Sequence, residues 1–74
     1  MINIHIGKDN LYMPRNSTHL YLNGFCIGYL DAMPGRRFMI SLNTQFGEDS
    51  EVCTGGKKDC AKRLFEIYQM ATKN

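Results

Sequence analysis

The dipeptide Asn23-Gly24 constrains the fold of this chain more than any other feature of its sequence. It separates two apolar runs. Asn and Gly accept positive φ values more readily than other residues, so the pair favours a two-residue type I′ hairpin. A loop of that length sets the register of the hairpin, and Leu20 is then expected to pair with Ile27.

A second turn is predicted at residues 33–36, where Pro34 presets φ and Gly35 supplies a flexible corner. A third strand, residues 37–42, follows this turn with alternating apolar and polar side chains. Residues 19–42 are therefore predicted to form a three-stranded antiparallel meander.

Side chains alternate between the two faces of a strand, so the meander has a core face and an outer face. The predicted core face consists of Leu20, Leu22, Phe25, Ile27, Tyr29, Phe38, Ile40 and Leu42. The predicted outer face consists of His19, Tyr21, Cys26, Gly28, Leu30, Arg37, Met39 and Ser41.

The C-terminal part of the chain has the spacing of an amphipathic helix from Lys57 to about Thr72. Its N-cap is left open between Thr54, which gives this longer helix, and Asp59, which would shorten the helix so that it begins at Cys60. The predicted apolar stripe consists of Cys60, Ala61, Leu64, Ile67, Tyr68 and Ala71, with Phe65 at its edge.

The remaining segments carry weaker patterns. Residues 2–6 alternate Ile with polar residues and are predicted to form a short strand. Residues 11–18 contain Pro14 and have no periodicity, which indicates a loop that covers an edge of the sheet. Residues 43–50 are predicted to be a polar connection, and a fourth short strand at residues 51–53 is left open.

The predicted fold class is α+β: a small two-layer domain in which a three- to four-stranded antiparallel meander is packed by one C-terminal helix. The 74 residues suffice for a single domain, residues 1–74, with one core. No apolar run approaches the roughly 20 residues that span a bilayer, so no membrane partner is expected. The first residues lack the pattern of a signal peptide, which predicts a cytoplasmic location.

The residues that could carry chemistry are too scattered to predict an enzyme. Structural zinc sites draw their ligands in close pairs, whereas Cys53 and Cys60 are seven residues apart, so no metal and no cofactor are expected. Cys26 and His19 share the predicted outer face but lack a third orienting group. Three cysteines favour free thiols, and a disulfide between Cys53 and Cys60 stays open on spacing alone.

Basic residues cluster at two places although the net charge is only +2. A helix N-terminus with nearby lysines can hold a phosphate. The alternative function is therefore nucleic-acid binding. Its predicted phosphate contacts are Arg36 and Arg37 of the hairpin and Lys57, Lys58, Lys62 and Arg63 of the helix.

In outline, a meander followed by a helix that opens with glycine and lysines resembles the later part of double-stranded RNA-binding domains. It is also similar to the three-strands-plus-helix DNA-binding domains of some integrases. In the first family only one residue separates the lysine pair from Ala-Lys. Here one residue more lies between Lys58 and Ala61, which rotates the lysines by about 100° on the helix. No family is assigned on this basis.

The predicted outer face combines aromatic, Met and Arg side chains and lacks Lys and acids, which is typical of protein contact surfaces. The leading hypothesis is a small non-enzymatic protein-binding or inhibitor module of phage or mobile-element type, which masks a surface of a larger complex. Two other expectations compete for this face: coverage by residues 1–13 or by a second copy, and nucleic-acid readout by the sheet. A homodimer through outer faces or unpaired edges is a further possibility. The predicted partner-binding residues are His19, Tyr21, Arg36, Arg37 and Met39.

Overall fold

The computed structural model describes residues 11–14 and 17–73, and in these residues a five-stranded antiparallel sheet is followed by one helix. The strands lie in the sheet in chain order, β1-β2-β3-β4-β5, so the sheet is a simple meander. The elements are β1 (Leu11–Tyr12), β2 (His19–Leu22), β3 (Phe25–Met33), β4 (Arg37–Leu42), β5 (Ser50–Thr54) and α1 (Lys57–Thr72). The predicted α+β class is confirmed, with five strands where three to four were expected. The strand predicted at residues 2–6 lies outside the described residues.

The two edge strands of the described sheet, β1 and β5, differ from the sequence-based prediction. β1 lies in the segment predicted to be a loop, and its two residues pair with β2. Leu11 and the neighbouring Met13 are buried in the core, so the segment does close the sheet as expected, but as a strand. The fourth strand that the sequence left open exists as β5, and it is longer by one residue at each end.

The hairpin between β2 and β3 forms around positive φ angles of 52° at Asn23 and 88° at Gly24. The two residue pairs nearest this turn follow the predicted register. The predicted pairing of Leu20 with Ile27 is wrong, because Leu20 pairs with Gly28. A β-bulge inserts one extra residue, Ile27, at this point of β3.

The bulge reverses the side-chain alternation in the rest of β3. Leu30 was predicted on the outer face, yet it is only 2% exposed and belongs to the core. Gly28 likewise faces α1 and not the outer side. Tyr29 was predicted in the core, but it lies on the outer face beside His19. Phe25, also predicted in the core, is 70% exposed at the end of the hairpin.

Asn43, which follows β4, anchors the bulge from the neighbouring strand. Its side-chain Nδ2 donates a hydrogen bond of 2.8 Å to the carbonyl oxygen of Cys26. Its backbone N–H donates one of 2.9 Å to the carbonyl oxygen of Ile27. The second bond continues the register of β3 and β4, and the first satisfies the neighbouring carbonyl of Cys26, so two consecutive carbonyls at the bulge both bond to Asn43.

The core lies between the sheet and α1, on the face that the sequence predicted. Leu20, Ile27 and Ile40 are fully buried, and α1 packs mainly across β3 and β4. Among the described residues, the buried hydrophobic side chains are Leu11, Met13, Leu20, Ile27, Leu30, Ile40, Leu42, Cys60, Ala61, Leu64 and Ile67.

The helix has the predicted bounds, but neither predicted N-cap is correct. Gly56 occupies the N-cap position without a side-chain hydrogen bond. Thr54 cannot cap because it is still paired in β5, and Asp59 already lies in the first helical turn. The buried stripe ends at Ile67, so Ala71 is exposed where burial was expected. No helix among the described residues is long and apolar enough to cross a membrane.

The turn between β3 and β4 approaches the start of the helix. Gly35 and Arg36 adopt positive φ angles of 81° and 56°, which turn the chain sharply. The carbonyl oxygen of Arg36 accepts a hydrogen bond of 2.9 Å from the backbone N–H of Gly55. Two segments that are 19 residues apart in the sequence are therefore joined at one end of the molecule.

Candidate binding surfaces

The face of the sheet that points away from α1 is called the outer face here. The strand register places alternate residues of each strand on it. Its side chains belong to Tyr12, His19, Tyr21, Cys26, Tyr29, Asp31, Met33, Arg37, Met39, Ser41, Ser50, Val52 and Thr54.

Four aromatic side chains of the outer face contact one another in what we call the aromatic row. Tyr12 and Tyr21 stack with their ring centroids 5.4 Å apart. His19 lies edge-on to Tyr21 at 6.2 Å and to Tyr29 at 4.9 Å. The rings, all half-buried, thus run continuously from β1 across β2 to β3.

The structure groups only part of the predicted partner-binding set. His19 and Tyr21 lie together in the aromatic row, whereas Met39 lies on β4 between Asp31 of β3 and Val52 of β5. Asp31 puts an acid on this face, which the sequence-based prediction described as free of acids.

The two arginines of the predicted set lie near the turn after β3. Arg37 begins β4, and its Nε donates a hydrogen bond of 2.9 Å to the carbonyl oxygen of Pro34. Arg36 is exposed in the turn itself. These two residues therefore stand at the far end of the face from the hairpin tip.

Two members of the aromatic row were missed from the sequence. Tyr29 reaches the outer face only because of the bulge, and the one local signal of that bulge is Gly28, since an isolated glycine inside a strand pattern often marks a bulge or the close approach of another element. Tyr12 was placed in a loop because Pro14 and the lack of alternation hide a strand of only two residues. Tyr12 itself is the signal that could have placed it in the sheet, since aromatic residues are enriched in strands.

Four of the residues predicted to contact phosphates lie on α1, in the layer opposite the outer face. Lys58 and Lys62 are exposed and lie one helical turn apart, and Lys57 is half-buried. Together with Arg36 and Arg37, which the bond from Gly55 draws close, Lys57 and Lys58 form what we call the basic end.

Arg63, the fourth predicted phosphate contact of the helix, is engaged within the chain. Its guanidinium forms a bidentate pair with Glu51, with distances of 2.8 Å from Nε to Oε2 and 3.1 Å from Nη2 to Oε1. Nη1 donates a further bond of 3.3 Å to Glu66. The hydrogen bonds from Arg63 hold the pKa of the Glu51 carboxyl below its ordinary value of 4.5, outweighing the opposite effect of desolvation.

Replacing Glu51 with glutamine is expected to destabilise the protein near neutral pH and to have little effect in acid. A carboxyl whose pKa is lowered by folding contributes stability above its ordinary pKa and loses it as the pH falls through the lowered value. The difference in stability between wild type and Glu51→Gln should therefore be constant above about pH 5.5. It should decrease toward zero as the pH falls below 4.5. Thermal unfolding of both proteins from pH 7 to pH 3 measures it.

Glu66→Gln is the matched control for this pair. Glu66 contacts the same guanidinium through a single longer bond and is more exposed, so its substitution should change the unfolding temperature less. An equal or larger effect of Glu66→Gln would contradict the assignment of the main ion pair to Glu51.

All three cysteines are free thiols, so the disulfide between Cys53 and Cys60 that spacing left open is not formed. Cys60 is fully buried, and its Sγ donates a hydrogen bond of 3.4 Å to the carbonyl oxygen of Cys53. Burial raises the pKa of the Cys60 thiol to about 12, and the neighbouring Cys53 and Asp59 add to this shift. Cys60 is thus a buried apolar side chain of the core.

In the folded protein Cys60 is expected to react with a thiol reagent at pH 8 at least about 100-fold more slowly than the other two cysteines. Cys26 and Cys53 are half-exposed, and the thiolate form that attacks the reagent is scarce at Cys60. Titration with a chromogenic disulfide, before and after addition of denaturant, measures the difference. Fast reaction of all three thiols in the native state would show that Cys60 is accessible.

The described residues show no group of three His, Cys, Asp or Glu side chains arranged as metal ligands. Cys26 donates a hydrogen bond of 3.5 Å from its Sγ to the carbonyl oxygen of Gly28. The ring of His19 contacts Tyr21 and Tyr29. Cys26 and His19, the residues considered as a nucleophile and base, therefore each contact other groups of the sheet.

An apolar groove at the hairpin tip was not anticipated from the sequence. It has a volume of about 410 Å³ and is lined by Leu22, Asn23, Phe25, Gln45, Phe46 and Tyr68. Phe46 lies in a short 3-10 helix, residues 44–46, within the segment predicted to be a polar connection. Its ring meets that of Tyr68 edge-on at 5.1 Å.

Comparison with known proteins assigns no family to the chain. No family model matches it, and no curated protein or solved structure matches it either. Function therefore has to be inferred from the chemistry of the surfaces described above.

Proposed function

We propose that this protein is a small non-enzymatic binding module that masks a surface of a larger protein complex through its outer face. The observation that carries the proposal is the aromatic row of Tyr12, His19, Tyr21 and Tyr29, which lies half-exposed on the side of the sheet away from the core. A solvated sheet face usually presents polar and charged side chains.

The aromatic row suits protein recognition for an entropic reason. Tyrosine offers a large contact area with only two side-chain torsions, so little conformational freedom is lost on binding. Contacts among the rings, such as the stacking of Tyr12 on Tyr21, hold them in place before a partner arrives. Part of the cost of ordering the interface is thereby met in the free protein.

The rest of the outer face supplies an apolar path and two charges. Met39 and Val52 continue the apolar surface across β4 and β5. Asp31 and Arg37 are exposed beside them and carry opposite signs. Charges at the margin of an apolar contact set the orientation of a partner more than its affinity.

On this proposal the protein is an accessory or inhibitor protein of phage or mobile-element type. We propose that it acts in the cytoplasm, of the host if a phage encodes it. Three free thiols agree with a reducing compartment.

The test is capture of the partner from an extract of the native host, with quantitative comparison of variants. The double variant Tyr21→Lys/Met39→Lys places two charges on the outer face and is expected to lose the partner while keeping its thermal transition. The lysine at residue 39 lies directly opposite Asp31, so this substitution places no like charges opposite each other on β3 and β4. Lys62→Glu, on the helix layer, is the matched control and should retain the partner. Equal capture by the wild type and the double variant would refute docking on the outer face.

The second candidate function is nucleic-acid binding at the basic end. The hydrogen bond between Gly55 and Arg36 favours it, because that bond joins two basic segments beside a helix N-terminus. Lys57, Lys58, Lys62 and Arg63 are the proposed phosphate contacts, and the bidentate pair with Glu51 weakens the contact that Arg63 can make.

Short duplex DNA and RNA mixed with the protein at low salt test this candidate. Affinity should fall steeply as salt rises, since each phosphate contact releases counterions. Lys58→Glu/Lys62→Glu should weaken it, and Tyr21→Lys/Met39→Lys should not. Absence of any complex at low salt would remove this candidate.

A further inference from the structure

We propose that two copies of this chain pair antiparallel through the outer edges of β5, forming a two-fold symmetric dimer with one continuous sheet. β5 is the last strand in the sheet order, and no strand among the described residues pairs with its second edge. The proposal concerns this edge, so it stands or falls independently of the function assigned to the outer face.

The hydrogen bonds to β4 show which backbone groups of β5 point outward. Leu42 donates to the carbonyl oxygen of Asp49 at 2.9 Å, and Gly55 donates to that of Arg36 at 2.9 Å. Odd-numbered residues from 49 to 55 therefore turn their N–H and C=O groups toward β4. Because these groups alternate in direction along an antiparallel strand, those of Ser50, Val52 and Thr54 point to the free edge.

Natural edge strands are usually blunted by Lys, Pro, a bulge or short length, because an open edge invites another strand. β5 has no Lys, Pro or bulge, and its one charged residue, Glu51, is paired with Arg63 of α1. It pairs with β4 over five residues without a register shift. Val52, at its centre, is 46% exposed. β1, by contrast, has only two residues and is followed closely by Pro14.

One antiparallel register satisfies all the outward groups of both copies. If the two-fold axis passes beside Val52, Val52 faces its equivalent and Ser50 faces Thr54 of the second copy. Each of these facing pairs exchanges two hydrogen bonds, so no outward N–H or C=O of the three residues is left over. A register centred on a neighbouring residue leaves one of the three without an equivalent in β5.

The same register brings opposite charges together, which favours a second copy over an unrelated strand. Glu48 and Asp49 precede β5 and are exposed. They would lie opposite Gly56 and Gly55 of the second copy. The exposed bases Arg36 and Lys58 lie near these glycines, together with one exposed acid, Asp59, beside Gly55, so basic residues outnumber acids there. A two-fold axis repeats this complementarity at both ends of the paired strands.

The dimer would also change what the outer face can do. Pairing in the plane of the sheet leaves both outer faces on one side and both helices on the other. Two aromatic rows would then face the same direction on one rigid sheet. A partner with two equivalent sites would be bound more tightly than by either copy alone.

Sedimentation velocity of the full chain from micromolar to millimolar concentration tests the proposal. The expected result is a reversible shift from 8.5 kDa to twice that mass. Val52→Pro is expected to raise the dissociation constant at least about 100-fold, because it removes an N–H from each copy and crowds the pairing strand. That N–H has no partner in β4, so the monomer fold is expected to persist. Val52→Thr, which keeps the β-branched shape and the N–H, is the matched control and should still dimerise.

Further variants distinguish loss of the dimer from loss of the fold, and the β5 interface from a different one. If circular dichroism shows that Val52→Pro is unfolded, Val52→Lys replaces it, since two lysines would then face each other across the axis. Glu48→Lys should weaken the dimer, and Lys58→Glu in the same chain should restore it. A monomer at every concentration would overturn the proposal. So would a dimer that persists in a folded Val52→Pro or Val52→Lys variant, or one that is lost in Tyr21→Lys alone.

Discussion

Replacing Gly28 with alanine is expected to lower the free energy of unfolding by about 3 kcal/mol. A Cβ atom at this position would lie 2.5 Å from the backbone carbonyl oxygen of Ser41 and 2.8 Å from Cδ2 of Leu64. The carbonyl belongs to β4 and cannot move without disturbing the sheet, and Leu64 is fully buried in the core. Glycine at residue 28 thus allows α1 to pack directly on β3.

Urea unfolding followed by circular dichroism measures this change. Gly56→Ser is the matched control, because the N-cap site is open and serine caps a helix, so it should alter stability by only a few tenths of a kcal/mol in the favourable direction. Combining Gly28→Ala with Leu64→Ala should cost less than the sum of the two single changes, since Leu64 forms part of the clash. An unchanged midpoint for Gly28→Ala would show that residue 28 does not face α1.

Truncating Leu30 to alanine is expected to cost about 3 kcal/mol, whereas Tyr29→Ala should cost about 1 kcal/mol or less. Leu30 is 2% exposed and contributes to the core, so alanine leaves a cavity beneath α1. Tyr29 is half-exposed and loses mainly its edge contact with His19. Removing the larger side chain, that of Tyr29, is therefore expected to lower the free energy of unfolding less than removing that of Leu30.

This ordering is a direct test of the bulge in β3. Regular alternation from the hairpin turn predicts the opposite result, with Tyr29 in the core and Leu30 outside. Phe25→Ala extends the test, because regular alternation also buries Phe25, yet its exposure predicts a change within about 0.5 kcal/mol. The free energies of unfolding of all three variants, measured under the same denaturant conditions, show which of these side chains lie in the core. A greater loss of stability for Tyr29→Ala than for Leu30→Ala would contradict the structure of β3.

The two proposed interfaces depend to different extents on features visible in the sequence. His19, Tyr21 and Met39 could be placed on the outer face from alternation alone, because none of them lies beyond the bulge in β3. Tyr29 could not be placed, since its side depends on Ile27 being an extra residue. The free edge of β5 was equally hidden, because the sequence left the existence of that strand open.

Local pattern was sufficient for the two turns, the bounds of the helix, the α+β class and the burial of Leu20, Ile27 and Ile40. Each of these depends on residues close together in the chain, such as Asn23-Gly24, or on a period that repeats over several turns.

Contacts between distant residues decided the rest. Asn43 holds the bulge by binding the carbonyl oxygens of Cys26 and Ile27, and this reverses the faces of Tyr29 and Leu30. The N-cap moved to Gly56 because Thr54 is still paired with Arg37. A hydrogen bond across 17 residues leaves no trace in local periodicity, so only the folded chain shows which of two neighbouring side chains enters the core.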